Sequence, residues 1–371
     1  MTEDQRWLLE HRFLPLVDRE KPDVILLAGD VYDRSLPPEE AVEVFDWITD
    51  EIVGVRRIPM IIISGNHDSA ERLSVASRLL RSRGLYIFGP DDRLRPVILS
   101  DADGEVAFLP LPYAEPARVR VLLNRLCLEG AEKIKTYEDA ERALSGYVLS
   151  LLPEEKRNLR KICLAHVFAA GGFASESERP LSIGGYDRIS DDVFAPYDYA
   201  ALGHLHRPQK TQASSEKIRY SGSLMRYSFD EVRQKKGVII GEMNGEGRIS
   251  ARFDELLPRF QVRVLEGTFE KLMGDETEAS EDYLQINLTD RSPVIDAMPR
   301  LRKKFPNALG VAQDMGYRED TGERIAELET MTDEDILSHF VSRFRDHPLT
   351  EEEKELARTV WEEVYREEEK K

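Results

Sequence analysis

An α/β fold, with mixed sheet and helices packed on both faces, is what this 371-residue sequence predicts. Two observations carry it. From about residue 7 to 112, segments of helical period alternate with short apolar runs. Three such runs, Val24-Ile25-Leu26-Leu27, Met60-Ile61-Ile62-Ile63 and Tyr199-Ala200-Ala201-Leu202, lead into loops rich in Asp, Asn and His. Continuous apolar runs of this length are strands buried on both faces, and open α/β sheets build their sites in the loops at the carboxyl ends of such strands.

The elements follow in order. A helix around Trp7–Val17 leads to the strand at Val24. Pro37-Pro38 open a helix that runs to about Val53, as proline does at a first turn. After the strand at Met60 come a helix from Ala70 to Arg83 and short strands near Tyr86, Val97 and Phe108. Helical patterns at Pro116–Leu126 and Tyr137–Leu151 precede an apolar strand, Ile162-Cys163-Leu164-Ala165. A loop rich in Gly and Ser then spans Ala169 to Gly185, long enough to carry function. Strands dominate from Arg219 to Val264, at Tyr220–Ser223, Val238–Ile240 and Phe260–Val264. A strand at Tyr283–Leu288 and a helix at Ser292–Lys304 complete a smaller unit over 258–313. Residues 314–331 are a polar linker. Two helices follow, with Thr332 and Thr350 as N-caps and a capping-box pattern in Thr350 and Glu353. Their apolar faces (Ile336, Leu337, Phe340, Val341, Phe344; Leu356, Val360, Trp361, Val364) have the spacing of helices packed on their own core. Their place behind a linker, with a Trp and two Phe, equally fits a docking face for a partner.

Composition excludes several classes. No run approaches the roughly 18 apolar residues of a membrane span, and Met1–Arg6 begins no secretory segment, so the expected location is cytoplasmic. Cys127 and Cys163 are too few for a disulfide framework and lack zinc-type spacing. A net charge of −18 argues against a protein that coats DNA through its overall field. It leaves room for a nuclease, because bound cations supply local positive charge.

The polar loops concentrate metal-binding groups. Asp30 follows Gly29 at a strand end, and a carboxylate can bridge two cations about 3.5–4 Å apart. Asn66 offers a neutral amide oxygen, which adds no negative charge where phosphate must bind. His166 emerges from the strand at Ile162, and His204 and His206 flank Leu205, so that extended backbone would point both rings to one side. Mixed oxygen and imidazole donors suit divalent transition metals such as Mn²⁺, with Mg²⁺ as the alternative. His67 is the expected general acid or stabiliser of transition-state charge, with Asp68 placed to hold its tautomer. Asp33 and Arg34 are candidates to support the site, Arg34 through a phosphate; His11, His339 and His347 are bystanders.

Longer motifs sharpen the picture: Ala28-Gly29-Asp30-Val31-Tyr32-Asp33, Ser64-Gly65-Asn66-His67-Asp68-Ser69, Ala200-Ala201-Leu202-Gly203-His204-Leu205-His206, and Arg219-Tyr220-Ser221-Gly222-Ser223 with Ser228-Phe229-Asp230-Glu231. Together they resemble the SbcD nuclease subunits, within the calcineurin-like two-metal phosphoesterases. The resemblance implies a metallophosphoesterase sandwich of mixed sheets flanked by helices over 1–257, and a small α+β capping domain that contacts DNA over 258–313. It also implies a linker over 314–331 and C-terminal helices over 332–371 that dock on the coiled-coil ATPase SbcC. The activity it implies is Mn²⁺-dependent: endonuclease on single strands, ATP-dependent exonuclease on duplex DNA with SbcC, in repair and recombination, by a homodimer within a heterotetramer. Its metal ligands would be Asp30, Asn66, His166, His204 and His206, and its catalytic pair His67 and Asp68.

The family begins with a strand ending in an Asp-x-His motif, and no such motif precedes Asp30. Carried over by position, one metal keeps Asp30, Asn66, His166 and His204, while the other keeps Asp30 and His206. Loss of a buried strand of some five apolar residues would cost about 8–15 kcal/mol, a domain's whole net stability, and leave a slot and unpaired edges. The expectation is therefore a natural protein that extends upstream, the alternative a truncated pseudo-enzyme. Two further readings stand beside the nuclease: a small-substrate phosphatase or cyclic-nucleotide phosphodiesterase, and a non-catalytic scaffold for SbcC or DNA. The capping unit and the C-terminal helices speak against the first of these.

Overall fold

The computed structural model describes residues 2–91, 93–173, 188–211, 216–313, 337–338 and 350–357. Three parallel strands, β1 (Ile25–Ala28), β2 (Met60–Ile63) and β3 (Leu85–Phe88), form one sheet in that order. Six strands form a second: β4 (Val97–Asp101), β5 (Gly104–Leu111) and β6 (Arg160–His166), then, after the short pair β7 (Phe168–Ala169) and β8 (Arg188–Ile189), β9 (Tyr199–Gly203), β10 (Gln209–Lys210) and β11 (Ile218–Tyr220). Their order is β10-β11-β9-β6-β5-β4, parallel from β11 through β5 and antiparallel at both edges.

The two sheets pack face to face, so the α/β fold is a sandwich. Ile61 and Ile63 of β2 join Phe108, Leu109, Leu164 and Leu202 in one core, while Met60 and Ile62 turn to a second. Alternation along a strand makes this division, and it explains why β2 is apolar at all four positions. The second core is closed by a π-helical stretch (Leu9–Phe13), α2 (Leu14–Glu20) and α3 (Glu39–Thr49), through Leu9, Leu14, Val44 and Ile48, while α1 (Thr2–Leu8) sends Leu8 into a separate cluster with Leu16, Met225 and Leu256. The outer edge of β1 carries no strand among the described residues, and its four residues are half-buried.

The predicted helix over 70–83 is broken into α4 (Ala70–Leu73), α5 (Ser77–Leu80) and a 3₁₀ turn (Arg81–Arg83). Ser74 Oγ bonds back to Ala70 O at 2.7 Å, and Ala76 takes a left-handed φ of 59°, which ends the first turn. Over the six-stranded sheet lie α6 (Pro116–Arg125) and α7 (Tyr137–Ser150), the latter opened by a capping box between Thr136 and Asp139. Tyr220 ends its strand, so the expected strand through Ser223 is shorter than predicted.

A hairpin, β12 (Gly237–Met243) and β13 (Ile249–Glu255), precedes a small α+β element. That element comprises β14 (Val262–Gly267), α8 (Phe269–Met273), β15 (Tyr283–Leu288), α9 (Ala297–Leu301) and β16 (Ala308–Gln313), with its own core of Phe269, Leu284, Ile286, Leu301 and Phe305. α9 is far shorter than the predicted helix over 292–304, because Asp296 sits at a left-handed φ of 52° just before it. Met1–Leu288 with Val294–Ala312 form one compact unit; Thr289–Pro293 with Gln313–Lys371 form another. Within the latter, Gln313 donates to the carbonyls of Asp290 and Ser292, and a helix over 351–357 opens on a reciprocal Thr350–Glu353 capping box. The linker, most of the two C-terminal helices, and residues 174–187 of the Gly/Ser-rich loop lie outside the described residues. Among the described residues no helix is long and apolar enough to cross a membrane.

Candidate metal centre

Parallel pairing brings four strand ends to one rim. Ala28 of β1 pairs with Ile63 of β2, and His166 of β6 pairs with Gly203 of β9. Each strand then releases its functional side chain within three residues. The turns are tight: Gly29, Asp30 and His204 have φ of 88°, 50° and 102°. For Asp30 and His204 this is backbone that side chains rarely adopt, and such strain persists where surrounding structure enforces it. Close packing also needs glycine. A Cβ on Gly29 would run into the His166 ring, and one on Gly203 into the Ala28 carbonyl.

Four side chains converge. His166 Nε2 lies 3.1 Å from Asp30 Oδ2 and 2.9 Å from Asn66 Oδ1, and His204 Nδ1 lies 3.2 Å from the same amide oxygen. The donor atoms of Asp30, His166 and His204 all fall within 4.8 Å of one another. Donors held at about 2.1 Å from a cation, at right angles, stand about 3 Å apart, so this spacing is that of neighbouring ligands on one ion. The protons agree with that reading. His166 Nδ1 is 2.8 Å from the Ala28 carbonyl, which only accepts, so Nδ1–H donates there. Nε2 then faces two more acceptors, Asp30 and Asn66, an arrangement that calls for positive charge between them: a proton on His166 or a metal ion. The residues therefore fit a divalent cation.

The charge states point the same way. Burial works to raise the Asp30 carboxyl, but the His166 charge and hydrogen bond and the His67 backbone N–H outweigh it and hold Asp30 well below the usual carboxylate range. Burial opposes charge on His166, yet Asp30 pushes its pKa upward. His204 is pushed down to about 3 by burial and by His166, which keeps it neutral with a lone pair to offer.

Two expectations need correction. His204 and His206 do not present their rings by strand alternation, because β9 ends at Gly203 and His204 turns into the left-handed region. His206 stands outside the close group, with Nδ1 3.0 Å from Glu231 Oε1. Asp68 does not hold His67. Its carboxylate accepts from the backbone N–H groups of Val31, Tyr32 and Gly65 at 3.1, 3.0 and 2.9 Å and ties the loops after β1 and β2 together. His67 Nδ1 instead faces the Asp33 carbonyl at 2.8 Å, with the ring 9% exposed. Asp33 and Arg34 form an exposed pair at 3.5 Å.

Sequence reasoning missed Tyr113 and Glu231. The Tyr113 ring stands edge-on to His166, and its backbone N–H donates to Ser64 O at 3.0 Å, bracing the loop that bears Asn66. Nothing in the spacing around Tyr113 marks it. Glu231 closes the Ser228–Glu231 motif, and nothing in that motif reveals what the carboxylate touches.

Residues 3–208, more than half of the chain, match the calcineurin-like phosphoesterase family, and residues 249–345 match the type 5 capsule protein repressor C-terminal domain. The SbcD subunit of the SbcCD nuclease from Staphylococcus saprophyticus is 32% identical over 354 residues, covering 94% of this chain and 90% of the relative. The protein of the same name from Staphylococcus epidermidis is 30% identical over 354 residues, 95% of this chain and 90% of the relative.

Proposed function

We propose a function on the premise that this chain belongs to the calcineurin-like phosphoesterases, among the SbcD nuclease subunits. It is a metal-dependent hydrolase of the phosphodiester bonds of DNA. It works in the cytoplasm with an SbcC-type ATPase, cutting single strands endonucleolytically and duplex ends exonucleolytically under ATP control. The observation that carries the reading is the convergence of Asp30, Asn66, His166 and His204 on one point at the rim.

Those four residues would hold one cation, and Asp30 and His206 would contribute to a second, with Mn²⁺ the expected metal. Divalent ions bound there supply charge that polarises the phosphoryl group and lowers the pKa of water. The protein does the rest. Asn66 ligates without charge, which leaves the field at the rim favourable to a phosphate. The Asp33 carbonyl accepts from His67 Nδ1–H, so the second proton of the cationic ring is carried on Nε2, the atom that can hand it to, or stabilise charge on, the leaving sugar oxygen. Asp68 keeps that loop in place by its three backbone bonds. The smaller α+β element and the C-terminal helices are proposed to contact DNA and SbcC respectively.

The test is cleavage of single-stranded DNA by the full chain with its SbcC partner. We expect cleavage that depends on Mn²⁺ and falls by about 10²–10⁴-fold in His67→Gln. Turnover of a chromogenic phosphodiester without cleavage of DNA overturns the nuclease reading. No hydrolysis of either, with SbcC still captured, leaves the chain a scaffold.

A further inference from the structure

Behind His206 lies a buried ion pair that hydrolysis at the rim does not itself use. Glu231 is 0% and Lys236 3% exposed, with 3.1 Å between Glu231 Oε2 and Lys236 Nζ. Withdrawing two charges from water costs several kcal/mol each, and a buried pair often gives no more stability than apolar residues of the same volume. Stability alone therefore does not account for it. Its contacts share a target.

Both partners hold His206. Glu231 Oε1 lies 3.0 Å from Nδ1 of the ring, and Lys236 Nζ donates to the His206 backbone carbonyl at 2.7 Å. Neighbouring groups lock the pair: the Tyr227 N–H donates to Glu231 Oε2 at 2.9 Å, and Lys236 also donates to Ser223 Oγ at 2.9 Å and Gln234 Oε1 at 3.0 Å. The Tyr227 ring stands edge-on to His206 at 6.0 Å. Ring and main chain of one histidine are thus fixed by the two ends of one ion pair.

The chemistry follows from what each atom can do. A carboxylate only accepts, so the proton of a neutral His206 sits on Nδ1, and Nε2 is left with the lone pair that a metal needs. Lys236 balances Glu231, so orienting the ring adds no net negative charge near an incoming phosphate. Glu231 Oε2 is already occupied, which keeps the carboxylate behind the histidine.

We propose that Glu231 and Lys236 are positioning residues of the metal centre, a clamp that presents His206 Nε2 as a ligand donor. This rests on the reading of His206 as a metal ligand. The motif Arg219–Ser223 with Ser228–Glu231 then has a purpose: it supplies Ser223 and Glu231 to the clamp, with Tyr227 between its two halves.

The experiment is long-range ¹H–¹⁵N NMR on the full chain labelled in histidine, with His206 assigned by His206→Gln, first without metal and then titrated with Zn²⁺, a diamagnetic ion that takes the same imidazole and carboxylate donors. Two neutral double variants avoid leaving a lone buried charge. Glu231→Gln/Lys236→Met keeps a hydrogen-bond acceptor behind the ring; Glu231→Leu/Lys236→Met removes it. We expect wild-type His206 as the Nδ1–H tautomer, retained in the Gln/Met variant. In the Leu/Met variant it should move toward the Nε2–H form, with Zn²⁺ affinity read at His206 Nε2 down about 10–100-fold. Wild-type His206 in the Nε2–H form overturns the clamp, and needs no variant to fold. An unchanged tautomer and affinity in the Leu/Met variant also overturns it. If Zn²⁺ shifts the ring nitrogens of His166 and His204 but not Nε2 of His206, His206 is no ligand and the proposal falls while the rest of the centre stands. A Zn²⁺ shift at none of the three overturns the metal-centre reading itself.

Discussion

One carboxylate, Asp68, joins the loops that carry Asp30 and Asn66, and its effect on stability can be separated from catalysis. Burial raises its pKa against the pull of the Gly65 and Tyr32 N–H groups. Removing it by Asp68→Ala strands three backbone donors at 2.9–3.1 Å from the lost oxygens. At about 1–3 kcal/mol for each unsatisfied buried donor, partly relieved by water, we expect a loss of about 3–5 kcal/mol in urea denaturation, with Mn²⁺ binding weakened in parallel. Unchanged stability would mean that the loops hold themselves. This role is invisible in the sequence for a physical reason: its partners are backbone groups, which every residue has. Asp30, Asn66, His166 and His204 are legible because each sits at the end of an apolar run, where the sheet must deliver it to the rim. The bond from His206 to Glu231 spans 25 positions, and no period or spacing relates them.

At the scale of elements, α7 is the instructive case. Its Thr136–Asp139 capping box and the spacing of Ala140, Leu144 and Val148 are patterns in the chain, and the helix forms where they place it. The same pattern hides Glu141, which is 4% exposed, with Oε1 making no hydrogen bond among the described residues. Burial pushes its carboxyl up to about 8. Because the folded pKa is raised, the folded protein binds the extra proton, and stability falls as pH rises from the unfolded value near 4.5 through about 8. At ~1.4 kcal/mol per pKa unit the fall is up to about 4–5 kcal/mol. Glu141→Gln removes this contribution, so relative to wild type the variant should gain stability as pH rises through that window and exceed wild type at pH 8.5. Denaturation at pH 5 and pH 8.5 checks this; equal slopes in both proteins would sink it. The helices over 70–83 and 292–304 are shorter than predicted because left-handed turns at Ala76 and Asp296 cut through helix-compatible composition. Single residues that leave the helical basin make no mark on a periodicity.

Across the whole molecule, alternation of elements foretells layers of sheet and helix, while the division into two sheets is not readable, since an apolar strand looks the same in either. Charge is the property of the whole that bears most directly on function. With 52 basic and 70 acidic residues the net charge is −18, so the overall field repels a phosphate backbone. At the rim Asp30 stays ionised, held low by His166 and by the His67 N–H despite its burial. Attraction for DNA must then come from local sources, and the cations that Asp30, Asn66, His166 and His204 would hold are the strongest of these. We therefore expect His67→Gln, impaired in cleavage, to bind a fluorescent single-stranded oligonucleotide weakly in EDTA. In Mn²⁺ the affinity should rise by at least about tenfold, and by less as salt increases and screens the contact. Asn66→Ala/His204→Ala, added to His67→Gln, should lose that gain. Equal binding with and without Mn²⁺ would place the main DNA contact on a surface remote from the rim, and the metals would then serve the chemistry alone.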